Sequence, residues 1–275
     1  MGLTVQTNVQ SMFAQNQMEK TSQSLSKTFQ RLSSGFRIND ASDDAAGLGI
    51  SKSMNAQVRS YAVAERNAND AVSMLQTADG GADQIHELLT RMRDLAVQAS
   101  NGSLATNDYT NLDAEFQASL SEIDRVASST QFNGINLLAG AAAARQFQVG
   151  IGTATTDRIS VSFGGAGATQ LAVNGTSVTT FTNAQTAITA LDAGIQSLSG
   201  VRGGFGAAMN RVNVAVSSLQ SMQTNMSASL SRIRDTDVAK EAANLSRNQV
   251  LSQAGASVLA QANQSSQVAL SLLRG

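Results

Sequence analysis

A short pattern around the single histidine of the chain is the first candidate for chemistry. His86 and Glu87 begin the segment HELLT, which matches the first half of the HExxH pattern of zinc peptidases. That pattern needs a second histidine one helical turn later, because two imidazoles hold the zinc ion. Position 90 is Thr, and His86 is the one histidine among 275 residues. The sequence therefore excludes this zinc site, and we interpret His86 as a partly exposed helix residue.

A second candidate is the carboxylate pair Asp43 and Asp44, since adjacent acids can serve as general acid and base. The pair closes the segment NDASDD at residues 39–44, directly before an Ala-rich run. Asn, Asp and Ser are preferred at helix N-caps, where carboxylates also meet the positive end of the helix dipole. We therefore interpret both acids as residues that start a helix.

Two glycine pairs and two Asn-Gly segments match binding or modification motifs only in part. The segments GIG at 150–152 and GFG at 204–206 lack the third glycine and the context of a phosphate-binding loop. Asn101 and Asn174 begin Asn-Gly-Ser and Asn-Gly-Thr, the acceptor pattern for glycosylation. We interpret both as turns, because Asn-Gly is a frequent turn pair.

The composition excludes most other catalytic chemistry. The chain has no Cys, Pro or Trp, so it can form neither a disulfide framework nor a Cys-ligated metal site. Its 19 basic and 20 acidic residues give a net charge of −1, whereas nucleic-acid binding needs clustered basic residues. We predict a protein that is not an enzyme and that binds no cofactor, metal ion or nucleic acid.

Both ends of the chain carry narrow apolar stripes with the four-three spacing of paired helices. The N-terminal stripe consists of Val5, Val9, Met12, Met18, Leu25, Phe29, Leu32 and Phe36, with Ser22 within it. The C-terminal stripe consists of Val238, Ala242, Leu245, Ala256, Leu259, Leu270 and Leu273, with Gln249, Ser252, Asn263 and Ser266 between them. Each stripe predicts a helix that needs a partner helix.

Neither terminal segment has the sequence pattern expected of a membrane helix or a cleavable leader. The stretch from Asn248 to Leu273 is uncharged, but it contains several Gln and Asn residues that would have to be desolvated in lipid. The N-terminus has no basic region followed by an apolar one, so we expect no cleavable leader.

The middle of the chain combines long helices with a short β segment. Helical spacing extends to Ala99, where Asn101-Gly102 predicts a stop, and a shorter helix follows with Phe116 and Ile123 inward. Period-two alternation at 146–149 and 158–163, and the Asn-Gly turn within 171–178, predict two small hairpins. The helical period returns from residue 183.

These patterns predict a mainly α protein, an elongated antiparallel helical bundle or coiled-coil rod with a small β-hairpin insert at its tip. Each terminal helix needs a partner for its apolar stripe, so we expect the two terminal helices to pair with each other. The expected regions are the terminal helices (1–35 and 238–275), a non-helical connector (36–55), the helical rod (56–140 and 183–237) and the β insert (141–182).

Several segments resemble bacterial flagellins, the subunits of the flagellar filament. Residues 31–51, RLSSGFRINDASDDAAGLGIS, resemble the N-terminal signature of that family. Further matches, in family order, are RMRDLAVQ (91–98), EIDR (122–125) running to QFNG (131–134), GAAMNR (206–211), SRIRDTD (231–237) and LAQANQ (259–264). One departure is Ser265-Ser-Gln267, which stands where the family commonly has a Pro.

The resemblance implies that the chain self-assembles into a helical tubular polymer used for swimming. The terminal helices would form the inner tube around the export channel, and residues 36–55 would be the spoke to the outer rod. The residues expected to pack the inner tube are Val5, Val9, Met12, Leu25, Phe29, Leu32, Leu245, Leu259, Leu270 and Leu273. Low charge suits such a polymer, because identical subunits would otherwise bring like charges together.

The resemblance also implies partners and a location. Flagellins are exported unfolded to the cell exterior, and the implied partners are an export chaperone, the filament cap and the hook-associated proteins. An animal Toll-like receptor binds the family at a patch that corresponds here to Arg91, Leu95, Gln98 and Glu115. Two other functions remain open at this point: a hook–filament junction protein, and an exported coiled-coil binding module.

Overall fold

The computed structural model describes the backbone of residues 7–140 and 143–274 and the side chains of residues 7–140 and 144–264. Its helices are α1 (Val9–Ser34), α2 (Ala45–Ala99), α3 (Thr106–Ser129), α4 (Phe181–Arg234) and α5 (Val238–Arg274). Its strands are β1 (Gln131–Phe132), β2 (Ile135–Asn136), β3 (Ala143–Gln148) and β4 (Arg158–Phe163). The predicted class, mainly α with a small β-hairpin insert, is confirmed.

The chain divides into two compact units. The terminal unit comprises residues 1–56 and 225–275, and the central unit comprises residues 57–224. Within the terminal unit, α1 packs along α5. Within the central unit, one buried cluster joins residues of α2, α3, α4 and the β segment.

The central core follows from the helical spacing of its apolar residues. Residues of α2 that recur every three or four positions are buried together, among them Leu75, Ile85 and Leu89. They meet Phe116 of α3 and Phe205 of α4, both fully buried. Removing such side chains from water stabilises the unit by about 1.5–3 kcal/mol each.

The hairpin of β3 and β4 is antiparallel, with Ala143 opposite Phe163 and Gln148 opposite Arg158. Along β4 buried and exposed residues alternate, so that Ile159 and Val161 face the core. The ring of Phe163 lies 5.8 Å from that of Phe205, which joins the hairpin to α4. The strands predicted from period-two alternation are confirmed.

The second predicted hairpin, at residues 171–178, is wrong, because the segment forms turns and no strands. Leu171, Val173 and Val178 are buried in the central core, but the backbone N–H groups of residues 171–173 donate to carbonyls three to five residues earlier, as in turns, and not to a partner strand. Carboxylates of α3 instead bind the backbone of this loop: Asp124 accepts from the N–H of Ala168, and Asp113 from that of Val178, both at 2.8 Å.

A different hairpin, β1 with β2, was not predicted. It turns at Asn133 and Gly134, whose φ angles of 50° and 73° are those of the mirror-image turn that joins short antiparallel strands. Asn-Gly between Phe132 and Ile135 is the usual signal for this turn.

The connector after α1 is shorter than the interval 36–55 predicted for it. Helix α1 ends at Gly35, whose φ of 73° is left-handed, and α2 begins at Ala45. Asp44 accepts a hydrogen bond from the backbone N–H of Gly47 at 2.8 Å, as a helix-capping carboxylate does. The helix therefore starts eleven residues before position 56, where the predicted rod began, and the interpretation of Asp44 as a helix-starting residue is confirmed.

The connector is held against the junction of α4 and α5 by a short clasp within the terminal unit. Phe36 pairs with Asp235 as an isolated antiparallel bridge, and Arg37 donates its backbone N–H to the carbonyl of Arg234 at 2.6 Å. The Arg234 guanidinium carbon lies 3.8 Å from the centre of the Phe36 ring, a cation–π contact.

Asp43 fixes the fold of the connector itself. Its carboxylate accepts from the backbone N–H groups of Asn39 and Asp40 at 3.2 and 3.4 Å and pairs with Arg31 at 3.3 Å. Burial alone raises the pKa of Asp43, but these N–H groups and the Arg31 guanidinium together hold that pKa below its ordinary value. Asp43 is a structural carboxylate.

We predict that Gly165→Ala destabilises the central unit. A Cβ there would lie 1.9 Å from the carbonyl oxygen of Gly140, so the backbone must move. Gly204→Ala, in the middle of α4, meets nothing within 4 Å and should raise stability by about 0.5–1 kcal/mol. Urea unfolding followed by circular dichroism measures both, and equal stability of the two variants would contradict the packing described here.

We predict that Asp43→Asn weakens the terminal unit at neutral pH by about 1 kcal/mol or less. Because the folded pKa lies below the unfolded one, this carboxylate stabilises the fold above the ordinary value of 3.8, and its contribution is lost as pH falls through the folded pKa. Unfolding compared at neutral pH and near pH 3 tests this. Asp40→Asn is the control, since Asp40 accepts one exposed hydrogen bond, from Gln30. A difference from wild type that stays the same at both pH values would contradict it.

Candidate functional site

The pair formed by α1 and α5 is antiparallel. Asn8 at the start of α1 donates to the carbonyl of Ala262 at 2.9 Å, whereas Thr28 near its end meets the amide of Asn248 at 3.5 Å. Between Asn8 and Thr28, Ser11 donates to Asn263 at 2.9 Å. The contacts along the pair are polar at several positions.

The buried side of α1 is made of small and polar residues. Ser11, Ala14, Thr21 and Thr28 are buried, and Met18, Leu25 and Leu32 are half-buried between them. The spacing of three and four confirms a coiled-coil seam. The predicted seam is wrong at alternate positions, because Thr21 and Thr28 occupy places that the sequence pattern assigned to Ser22 and Phe29.

The facing side of α5 has a similar composition. Glu241 and Ala262 are buried, and the half-buried residues between them are Asn244, Leu245, Asn248, Ser252, Gly255 and Leu259. A Cβ at Gly255 would make an ordinary van der Waals contact with the side chain of Met18, at 3.9 Å, so this position faces α1. The small residues along this side bury little apolar surface.

The predicted inner-tube residues divide into three groups. Leu25, Leu32, Leu245 and Leu259 lie half-buried in the seam. Val9, Met12 and Phe29 point away from it, with exposed fractions of 67%, 56% and 50%. Val5 lies outside the described residues, and the side chains of Leu270 and Leu273 lie outside the described side chains.

Both helices carry further exposed apolar residues that the seam prediction did not single out. Phe13, the most exposed, is 73% accessible. With Val9 it lines an apolar groove of about 740 Å³ on one side of the helix pair, together with Leu251 and Val258 of α5. The sequence did contain a signal for this exposed surface. Val9, Met12 and Phe13 are spread around α1 more widely than one narrow seam can bury.

This groove has no charged side chain in its lining. Gln10, Gln17 and Gln261 are its polar members beside Thr21, and the rest of the lining is apolar or glycine. Such a surface suits the apolar or amide face of another helix better than it suits a charged ligand. We call the exposed apolar residues of α1 and α5, with this groove, the open face.

The four residues of the predicted receptor surface belong to the central unit. Arg91 and Glu115 form an exposed ion pair, in which two guanidinium nitrogens lie 2.9 and 2.6 Å from Oε1. Gln98 is exposed nearby on α2. Leu95 does not belong to this surface, because it is 1% exposed and packs in the central core.

The described residues bring no catalytic constellation together. His86 lies half-buried on α2, and no group of three His, Cys, Asp or Glu side chains within 7–140 and 144–264 could hold a metal ion. Across the same part of the chain no helix has the length and apolar character needed to span a membrane.

Comparison with protein families matches both halves of the chain. Residues 5–143 match the bacterial flagellin N-terminal helical region, and residues 188–273 match the bacterial flagellin C-terminal helical region. The chain is 42% identical to a flagellin of Halalkalibacterium halodurans over 248 residues, which cover 90% of this chain and 91% of the relative. It is 36% identical to flagellin FlaB1 of Treponema pallidum, covering 99% and 100%.

Solved structures agree. The crystal structure of Bacillus cereus flagellin aligns with a TM-score of 0.50 at 33% identity and covers 60% of this chain and 94% of that one. A putative flagellar hook-associated protein from Vibrio parahaemolyticus aligns with a TM-score of 0.59 at 15% identity, covering 70% of this chain and 100% of that chain, which shows a shared fold alone.

The chain belongs to the bacterial flagellins. It is a structural subunit of the flagellar filament, a homopolymer that serves motility, and it is not an enzyme. The junction protein and the binding module considered above are not favoured.

Proposed function

We propose that this flagellin joins neighbouring subunits through the open face of α1 and α5. The supporting observation is that Val9, Phe13 and Val258 expose 67%, 73% and 58% of their surface around one groove. Contiguous exposed apolar patches on soluble proteins mark interaction sites. In a homopolymer the partner at such a site is a second copy of the same chain.

The groove fits a helix of that second copy. Its lining is uncharged, so identical chains meet there without like-charge repulsion. The apolar side chains supply the burial that the α1–α5 seam lacks, and the amides of Gln10 and Gln261 at its rim supply hydrogen bonds. Folding of the terminal helices is thereby strengthened by assembly.

We assign the regions of the chain accordingly. The terminal helices (1–35 and 238–275) form the inner tube, with Leu25, Leu32, Leu245 and Leu259 inside each pair. The connector interval (36–55) is the spoke, residues 56–140 and 183–237 form the outer rod, and 141–182 are the β insert. The boundary between the two compact units near residue 56 supports the division between spoke and rod, whereas residues 225–237 fall within the terminal unit.

The same open face serves the other partners in this proposal. An export chaperone covers it before assembly, and the filament cap and the hook-associated proteins meet it at the filament ends. The assembled chain is extracellular. Support comes from the exposure of these apolar residues in the single chain, which an unassembled subunit would otherwise present to water.

We predict that Phe13→Asp abolishes or strongly weakens assembly and leaves the monomer folded. Phe13 is 73% exposed, so the variant loses little internal packing but places a charge inside the contact between copies. Seeded elongation, followed by light scattering and sedimentation, should show a critical concentration at least about tenfold higher, equivalent to about 1.4 kcal/mol.

Thr153→Asp is the matched control, because it adds the same charge at an exposed loop residue of the central unit. Circular dichroism verifies that both monomers keep their helices. Normal elongation of Phe13→Asp would refute the proposed role of the open face.

We also propose that Arg91, Gln98 and Glu115 are the receptor-facing residues of this flagellin, with Leu95 acting only through packing. Arg91→Ala should lower receptor activation in a reporter-cell assay without changing thermal stability, because the Arg91–Glu115 pair is exposed. Leu95→Ala should lower thermal stability, since it opens a cavity worth about 2–5 kcal/mol. Equal receptor signals from wild type and Arg91→Ala would contradict this surface.

A further inference from the structure

Two methionines stand out by their exposure among the side chains that the structure describes. Met12 of α1 is 56% exposed and Met222 of α4 is 48% exposed. Met74 and Met92 are buried, at 4% and 0%. Since the chain has no cysteine, its thioethers are the sulfur atoms that an oxidant can reach, and exposure decides which react first.

Met12 differs from Met222 in its neighbourhood. It lies on the open face, one helical turn after Val9 and next to Phe13, which are themselves 67% and 73% exposed. Val9 and Phe13 carry no side-chain hydrogen-bond donor, whereas Asn8, Gln15 and Asn16, within about one helical turn of Met12, carry amide donors. Met222 lies in the central unit and outside the open face.

We infer that Met12 is an oxidation site through which a peroxide controls the assembly of free subunits. The inference rests on the proposed role of the open face. The thioether sulfur attacks one peroxide oxygen, the O–O bond breaks, and the sulfur loses two electrons to form the sulfoxide. The peroxide is reduced, and hydrogen peroxide leaves as water.

The product changes the surface that must be buried. A sulfoxide oxygen is a strong hydrogen-bond acceptor, and covering it with the apolar side chains of a second copy costs the free energy of its lost hydration. Oxidised subunits therefore add poorly to a growing filament end. In a finished filament the copies cover Met12, so the same oxidant reaches it slowly.

The test compares wild type, Met12→Leu and Met222→Leu. Leucine keeps the volume and the apolar character and cannot be oxidised. Monomers are treated with hydrogen peroxide, the peroxide is removed, and peptide mass mapping measures the sulfoxide at each methionine. Seeded elongation then gives the critical concentration. Treated wild type and treated Met222→Leu should each need at least about tenfold more protein to elongate than the same protein untreated, whereas treated and untreated Met12→Leu should elongate alike.

Two further measurements complete the test. Methionine sulfoxide reductases should restore elongation of treated wild type, and filaments should acquire less sulfoxide at Met12 than monomers do. Loss of elongation in treated Met12→Leu, or normal elongation of chains that carry the sulfoxide at Met12, would overturn the inference. Equal oxidation of Met12 in filaments and monomers would overturn it as well.

The Phe13→Asp variant separates this inference from the proposed function. If Phe13→Asp assembles normally, the open face is not the contact and the proposed function fails. If Phe13→Asp blocks assembly and oxidation at Met12 does not, the contact stands and only the control by oxidation is wrong.

Discussion

The α1–α5 pair is held by a seam in which small and polar side chains alternate with half-buried Met and Leu residues, so several of its other large apolar side chains stay exposed. Ser11, Thr21 and Thr28 occupy the buried side of α1, while Phe13 and Val9 face outward. Close approach of two helices favours small residues at their contact, and bulky residues must then take other positions. The pair therefore leaves apolar surface exposed in the single subunit, and this is the surface that we propose other copies cover.

The central unit is built on the opposite principle. Its helices bury large side chains such as Leu89, Phe116 and Phe205 inside one core, and it needs no second copy to remove them from water. Even the loop after β4 is held from within, because Asp113 and Asp124 satisfy its backbone N–H groups. A self-sufficient unit and an incomplete one in the same chain allow the subunit to exist as a monomer and still polymerise.

The solvent exposure of each side chain also distinguishes the roles of individual residues. Arg91 and Glu115 are free to be recognised because their ion pair lies at the surface, whereas Leu95 in the same motif is buried and acts on stability. Met12 presents the converse case: its thioether is accessible in the monomer because the face that carries it is left uncovered. The surface that a single subunit leaves exposed is thus the common basis of the assembly contact, the receptor surface and the oxidation site that we propose.

The sequence by itself determined the helices, the β3–β4 hairpin, the absence of catalytic groups and the family, because periodicity, caps and motifs are local properties of the chain. Ala99 as the end of α2 followed from Asn101-Gly102 alone, and the β1–β2 turn could have been predicted from Asn133-Gly134. Tertiary structure decided which of two neighbouring positions faces the partner helix, since Thr28 and not Phe29 lies in the seam. It also decided that the side chain of Leu95 points into the central core and not towards solvent. It also decided that residues 171–178 form a loop without strands, anchored by the buried Leu171, Val173 and Val178. These outcomes depend on the distance between two packed elements, and the spacing of residues along the sequence carries no information on that distance.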